Sequence, residues 1–330
     1  MFIVSLFSLG FRALMFAVCL ALTFLIFGLA SPPARAQQTF GMGTGGAAGM
    51  YFAFGREISE ACGQDVGMKA ELEENGSAGN VQAILDNSRP WGMAQLDYLA
   101  VEGIERDLTR IKVLVPMFPE QVVFMSARAV TKSEGGATGW AKNLVGIKGA
   151  ELTTVRDLAG LPVASFGGSV ATAKLIQSKG VTYNMLPPSG SFADALALVE
   201  QGKAAALIAV QAKVKGNFRN LPPATLAKFK FLEVPSDIVS QFKAYKPSKV
   251  EYPGMAGVQS MEVMSAVVTF NYQKGPMVAK TLALRECILK TADELGNMPG
   301  KSPAWGNMKL EAELPWERWT PPASVQVRRK

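Results

Sequence analysis

The chain has 330 residues, enough for one large domain or two of ordinary size, and 48% of its residues are hydrophobic. Its net charge of +7 comes from scattered rather than clustered basic residues, which argues against a nucleic-acid-binding face. Histidine is absent, so Ser-His-Asp and Cys-His catalysis and histidine-containing zinc sites are excluded.

Residues 1–36 have the pattern of a secretory signal. Arg12 precedes an apolar run from Ala13 to Ala30, and an A-R-A sequence of the kind found at cleavage sites ends at Ala36. We therefore predict cleavage after Ala36 and a periplasmic location. The alternative is a retained membrane anchor, because the run approaches the ~20 residues that span a bilayer.

Two cysteines, Cys62 and Cys287, remain after the predicted cleavage, and both lie in helix-like segments. In an oxidising compartment they can form one disulfide, or they can stay as two buried thiols, and the sequence leaves both possibilities open. The chain has no calcium-loop pattern and no paired-cysteine metal spacing. We expect no metal and no cofactor.

Short apolar runs alternate with amphipathic stretches along the first part of the chain. The predicted strands are 38–43, 68–72, 91–96, 113–115 and 122–126, and the predicted helices are 51–61 and 78–86. This order is typical of an α/β fold with a parallel sheet and crossover helices.

A Gly-rich interruption, 133–150, is expected to be a surface hairpin or an extended loop, and a second α/β series follows it. That series begins with a capped turn at 152–158. Its predicted strands are 162–166, 182–186, 204–210, 229–234 and 261–270, and its predicted helices are 170–179, 192–201 and 277–295.

Two such series predict two lobes. We expect lobe I to contain residues 37–127 and 263–330, because the C-terminal helix returns to complete it, and lobe II to contain residues 128–262. The two crossings between lobes would act as a hinge, with a ligand cleft between the lobes.

A Gly-rich loop between the first strand and the first helix, Gly41 to Tyr51, carries the clearest local motif. It contains G-x-G-x-x-G, so a Rossmann dinucleotide site is a formal alternative, although the loop is longer than that pattern describes. Glycines also let the backbone approach a ligand closely, and a helix start attracts anions. A turn without a ligand is the other possibility.

Several segments together resemble the TAXI family, the extracytoplasmic solute receptors of tripartite ATP-independent periplasmic (TRAP) transporters. The matching segments, in chain order, are Gly43-Thr44-Gly45-Gly46, Gly49-Met50-Tyr51, Gly76-Ser77-Ala78-Gly79-Asn80, Gly92-Met93-Ala94-Gln95-Leu96-Asp97, Phe166-Gly167-Gly168-Ser169, Asp194-Ala195-Leu196 and Tyr252-Pro253-Gly254. Gly202-Lys203-Ala204-Ala205-Ala206 lacks the aspartate usual in the family.

The resemblance implies a two-lobed periplasmic binding protein of type II, with a mixed β-sheet flanked by helices in each lobe. It also implies a monomer that captures a small organic acid or amino acid, glutamate-like or dicarboxylate-like, and delivers it to an integral membrane permease. A periplasmic sensor or scaffold that acts on a membrane partner is the alternative. An enzyme is disfavoured, because the sequence offers no clear pair of nucleophile and base.

Eight candidate ligand-binding residues lie in lobe I. Thr44, Gly45 and Gly46 would donate to an acidic group, and Tyr51 would cover the ligand or belong to the core. The remaining four are Ser77, Asn80, Gln95 and Asp97. For Ser77, Asn80 and Asp97 the alternative role is to cap a helix. Asp97 suits a ligand amine.

Four candidate residues lie in lobe II. Gly168, Ser169 and Thr172 would form a second helix N-terminus facing the first, which suits a ligand with anionic groups at both ends. Gln211 ends a buried strand and is expected to reach the cleft.

Overall fold

The computed structural model describes residues 40–47, 49–71, 76–105, 107–128, 131–132, 150–213, 217–252 and 257–326. The predicted signal segment and almost all of the Gly-rich interruption lie outside these ranges. Within the described part of the chain, no helix combines the length and the apolar character needed to cross a bilayer.

The strands, in chain order, are β1 (Phe40–Gly43), β2 (Met68–Glu71), β3 (Trp91–Gln95), β4 (Ile111–Ala127), β5 (Thr131–Lys132), β6 (Ala150–Glu151), β7 (Pro162–Ala164), β8 (Asn184–Met185), β9 (Ala206–Ala212), β10 (Phe229–Leu232), β11 (Tyr245–Val250) and β12 (Val258–Phe270). The α-helices are α1 (Met50–Val66), α2 (Ser77–Leu85), α3 (Leu96–Glu105), α4 (Ser169–Gln177), α5 (Phe192–Glu200), α6 (Pro223–Leu226), α7 (Ser236–Val239), α8 (Pro276–Asn297) and α9 (Ala323–Gln326). Short 3₁₀ turns are Val155–Leu158, Asn217–Asn220 and Trp305–Asn307.

The sheet repeats one strand order in two halves. Among the described residues ten strands form one sheet, in the order β2-β1-β3-β12-β4-β9-β7-β8, with β10 paired to β4 and β11 to β12. In the first half β2, β1 and β3 are parallel and β12 is antiparallel to β3. In the second half β8, β7 and β9 are parallel and β4 is antiparallel to β9. The predicted α/β fold with two lobes is confirmed.

The long strands β4 and β12 run through both halves and are the two crossings of the predicted hinge. They pair with each other antiparallel, from Val122 opposite Met261 to Ile111 opposite Phe270. Because each strand belongs to both halves of the sheet, the residues in the middle of this pair lie at the boundary between the halves.

The prediction of two separate strands before and after residue 118 is wrong, because β4 is continuous. Pro116 and Pro119 interrupt the sequence pattern, but they lie where the β4–β12 register shifts. There the Ser265 hydroxyl donates to the Phe118 carbonyl at 2.7 Å. A side chain thus supplies a hydrogen bond where the regular ladder is broken.

The sequence analysis also missed α3, β11 and the short helices α6 and α7. The strand β11 pairs along its length with β12 and buries Tyr245, Ser248 and Val250. Its exposed residues include Lys246, Pro247 and Lys249, which hide the apolar pattern. A proline is tolerated there because an edge strand does not need every backbone N–H.

The spacing of apolar residues explains why the sequence of α1 forms a helix. Phe54, Ile58, Cys62 and Val66 recur every four residues and form the buried face. Gly67 ends the helix in the left-handed conformation, with φ +66, and its N–H bonds back into the last turn.

The long helix α8 packs against α1, and a disulfide between Cys62 and Cys287 joins the two. Of the two possibilities that the sequence left open, the structure contains the disulfide. The Phe54 ring stacks on Trp305 with centroids 4.0 Å apart, and the Trp305 indole N–H donates to the buried carboxylate of Glu57 at 2.7 Å. These contacts hold the C-terminal segment on the first half.

Candidate functional site

Buried polar side chains from both halves meet beside the paired strands β4 and β12. Gln95 ends β3, Asp97 lies in the first turn of α3, and Glu120 lies in the middle of β4. Thr172 of α4 and Tyr245 of β11 approach from the second half. All five are largely shielded from water, although buried polar groups cost free energy unless they are paired.

Asp97 is fully occupied by donors of the protein. Its Oδ2 accepts hydrogen bonds from the hydroxyls of Thr172 and Tyr245, and its Oδ1 accepts from the backbone N–H of Tyr98 at 2.8 Å. Burial raises the pKa of the Asp97 carboxyl, and these hydrogen bonds oppose the rise. The aspartate therefore ties the first half to the second.

Asp97 does not cap a helix, which was the alternative role that the sequence left open for it. Strand β3 ends at Gln95 and helix α3 begins at Leu96, which places Asp97 inside the first turn. A carboxylate in a first turn is favoured by the helix dipole. The helical turn also aims its side chain at the second half.

Glu120 is the buried carboxylate of this cluster that the sequence analysis missed. Its carboxylate accepts a hydrogen bond from the Tyr51 hydroxyl at 2.7 Å. Burial raises the pKa of Glu120 to about 7, and the negative charge of Asp97 adds to the rise, while hydrogen bonds from Tyr51 and Gln95 oppose it. A charged residue inside the apolar run of β4 was the available sequence signal.

Tyr51 and Phe118 form an edge-to-face aromatic pair with centroids 6.3 Å apart, so the ring packs in the core. Burial and the adjacent Glu120 raise the pKa of the Tyr51 phenol. Tyr51 therefore stays protonated and donates to Glu120 throughout the physiological range. It belongs both to the core and to the polar cluster.

Gln95 lies against the second half with one acceptor unused. Its side chain is 4% exposed, and its Oε1 has no hydrogen-bond partner. A Cβ added at Gly168 would overlap this oxygen, so the glycine leaves the room that the Gln95 amide occupies. Buried acceptors without a partner are few in folded proteins, so this one calls for an explanation.

The Gly-rich loop after β1 is tied to its neighbours by main-chain contacts. The Thr44 hydroxyl donates to the carbonyl of Glu71 at 2.6 Å. The Asn80 amide donates to the carbonyls of Thr44 and Met93 at 2.6 and 2.8 Å. Gly45 is buried and Gly46 is exposed. The side chains of Thr44 and Asn80 thus fix the loop to β2 and β3.

Ser77 and Ser169 have similar local roles at the starts of helices. The Ser77 hydroxyl accepts from the backbone N–H of Gln95 at 3.0 Å, and the Ser169 hydroxyl bonds to the N–H and carbonyl of Phe166 at 3.0 and 2.7 Å. Each hydroxyl fixes the loop that precedes or faces its helix. Ser77 thereby connects the start of α2 to Gln95 of the polar cluster.

The Gln211 side chain makes its hydrogen bonds outside the polar cluster. Its amide donates to the Tyr252 hydroxyl at 2.8 Å and accepts from the backbone N–H of Asn217 at 2.7 Å. The structure therefore brings Tyr51, Gln95, Asp97, Gly168 and Thr172 into one cluster and leaves Gln211 with partners outside it.

Comparisons with known proteins give neither a family nor a curated relative. No protein-family model matches the chain, and no curated protein matches it. Similar solved structures include the substrate-binding protein of an amino acid ABC transporter, with 14% identity, a TM-score of 0.45 and coverage of 78% of this chain and 94% of that one.

Two further similar structures have comparable scores. The GluR0 ligand-binding core complex with L-glutamate has 10% identity and a TM-score of 0.43, with 78% of this chain and 95% of that chain covered. An amino acid ABC transporter substrate-binding protein from Streptococcus pneumoniae, bound to L-arginine, has 9% identity and a TM-score of 0.45, with 79% and 91% covered. At these scores the likeness assigns neither a ligand nor a partner to this chain.

Proposed function

We propose that this protein is an extracytoplasmic solute receptor that binds a small organic acid or amino acid between its two halves without transforming it. The observation that supports this function is the polar cluster of Gln95, Asp97 and Glu120. A structural core has no need of two buried carboxylates and an unpaired amide oxygen, whereas a binding site commonly has such groups.

In this proposal, the acidic group of the solute lies against the Gly-rich loop from Thr44 to Gly46 and the start of α4 at Gly168 and Ser169. Backbone N–H groups at helix starts suit a carboxylate. Lobe I would comprise residues 37–127 and 263–330, and lobe II residues 128–262.

Closure of the two lobes is the proposed response to the solute. The hydrogen bonds from Thr172 and Tyr245 to Asp97 join the halves, so they exist only when the lobes are closed. A solute that contacts both lobes adds to them and shifts the population toward the closed form.

We further propose that the receptor belongs to the TAXI type, is periplasmic and monomeric, and delivers its solute to a TRAP permease. The motif residues from Gly43 to Tyr51 and from Gln95 to Asp97 support this assignment. The disulfide is consistent with an oxidising compartment, since such bonds persist there.

The test begins with the full protein, exported and purified from the periplasm of an expression host. Native mass spectrometry would reveal a co-purified solute and, from the N-terminal mass, the cleavage site. A thermal-shift screen of amino acids and carboxylates should yield at least one compound that raises the melting temperature. If none of these compounds binds, the receptor function is refuted.

A further inference from the structure

The polar cluster has more hydrogen-bond acceptors than donors. Glu120 is 5% exposed and Gln95 is 4% exposed, so neither can use bulk water. Gln95 Oε1 has no partner, and the Glu120 carboxylate accepts a hydrogen bond from the Tyr51 hydroxyl. A carboxylate offers about four acceptor positions, so capacity remains at Glu120.

No positive charge of the described chain compensates this site. The groups around Glu120 are Tyr51 from α1, Gln95 from β3 and Asp97 from α3. The residues opposite it on the neighbouring strands, Ala212 and Val263, are apolar.

The next cation along β9 is Lys213, which pairs with Glu262. Among the described residues, neither Glu120 nor Asp97 takes part in a salt bridge. Within the described part of the chain, two buried carboxylates close enough to influence each other therefore lack a counter-ion.

Asp97 is not the group that lacks a donor. Three protein donors already serve its two oxygens. Glu120 and the Gln95 oxygen are the acceptors with capacity left. The two residues flank β12, where Gln95 lies opposite Ser265 and Glu120 lies opposite Val263.

We propose that an ammonium group of the solute binds between the Glu120 carboxylate and Gln95 Oε1. An ammonium has three donors and one positive charge, which meets both the unpaired acceptor and the uncompensated charge. This inference rests on the proposed receptor function and narrows its ligand class. It selects amine-bearing solutes, such as amino acids, over dicarboxylates that lack an amine. It also transfers the amine contact from Asp97, where the sequence suggested it, to Glu120.

Solutes that differ only in the amine provide the test. Binding of three pairs to the full purified protein would be measured by calorimetry: L-glutamate and glutarate, L-aspartate and succinate, and L-leucine and 4-methylpentanoate. For any pair that binds, the amine-bearing member should bind at least about ten-fold more tightly, because it alone makes charge-assisted hydrogen bonds.

The variants Glu120→Gln and Gln95→Leu should each remove most of this preference and leave the weaker member of the pair almost unchanged. Glu200→Gln, at the exposed end of α5, is the matched control and should retain wild-type binding. Thermal melts of every variant would show that the comparison is between folded proteins.

The outcomes separate the two proposals. If dicarboxylates bind as tightly as their amino counterparts, or if Glu120→Gln keeps the preference, the ammonium site is refuted while the receptor function stands. Stabilisation by Na⁺ or Ca²⁺ with no amine preference would also refute it, in favour of a metal ion. If no compound of any pair or of the wider screen binds, both proposals fail together.

Discussion

The replacement Glu120→Gln tests the polar cluster through the pH dependence of stability. The folded-state pKa of Glu120 is about 7, against an ordinary value of 4.5, because the carboxyl is buried. Between these two pKa values the folded protein therefore keeps the Glu120 proton, whereas the unfolded chain has lost it. The unfolding free energy must fall as pH rises from the unfolded pKa through the folded pKa, and linkage puts this loss at about 2.5 kcal/mol between pH 5 and pH 8.

Glutamine keeps an oxygen that can accept from Tyr51 but cannot ionise. Relative to wild type, the variant should therefore gain about 2.5 kcal/mol on going from pH 5 to pH 8. Urea unfolding at several pH values, followed by tryptophan fluorescence with the disulfide intact, measures this difference. Asp97 is present in both proteins, so its own titration largely cancels, and the raised pKa of Tyr51 keeps the phenol protonated across the window.

The control for general charge effects is again Glu200→Gln, since Glu200 is exposed at the end of α5. Its stability should follow the wild-type pH profile. If wild type and Glu120→Gln instead give parallel profiles from pH 5 to pH 8, Glu120 is not held in a buried, uncompensated state. The reasoning about the cluster would then be wrong.

Three other changes test the contacts between the two halves and the disulfide. Tyr245→Phe removes a hydroxyl that donates to Asp97 at 2.6 Å, and urea unfolding should show a loss of about 1.5–3 kcal/mol. Gly168→Ala forces a methyl group onto the Gln95 amide oxygen and displaces the end of that side chain, so calorimetry should show weaker ligand binding; unchanged binding would show that the position of the Gln95 amide does not matter for the ligand. Reducing the disulfide, which closes a loop of 225 residues, should lower the unfolding free energy by about 2–5 kcal/mol, whereas an unchanged urea midpoint would show that the bond constrains little.

Local patterns were sufficient to predict most of the fold. Helix α1 follows from the four-residue spacing of Phe54, Ile58, Cys62 and Val66, and the alternation of strands and helices predicted the α/β class. Strand β4 was divided in error because Pro116 breaks the local pattern, whereas the register shift opposite it depends on a strand more than a hundred residues away.

The candidate site was only partly predictable for the same reason. Gln95 and Asp97 stood out in the motif at the end of β3, but Asp97 bonds to Thr172 and Tyr245, which lie 75 and 148 positions further along the chain. Glu120 becomes significant only when the fold places it beside Tyr51. A single sequence contains no local signal for such pairings.

The disulfide between α1 and α8 makes the chain a covalent ring with two tails. Both cysteines lie on helices of the first half, so the whole second half is contained in the ring. A protease that cut an exposed loop of the second half once would leave both pieces attached. Such a nicked protein would run as a single band on a denaturing gel without reductant, and as two bands with it.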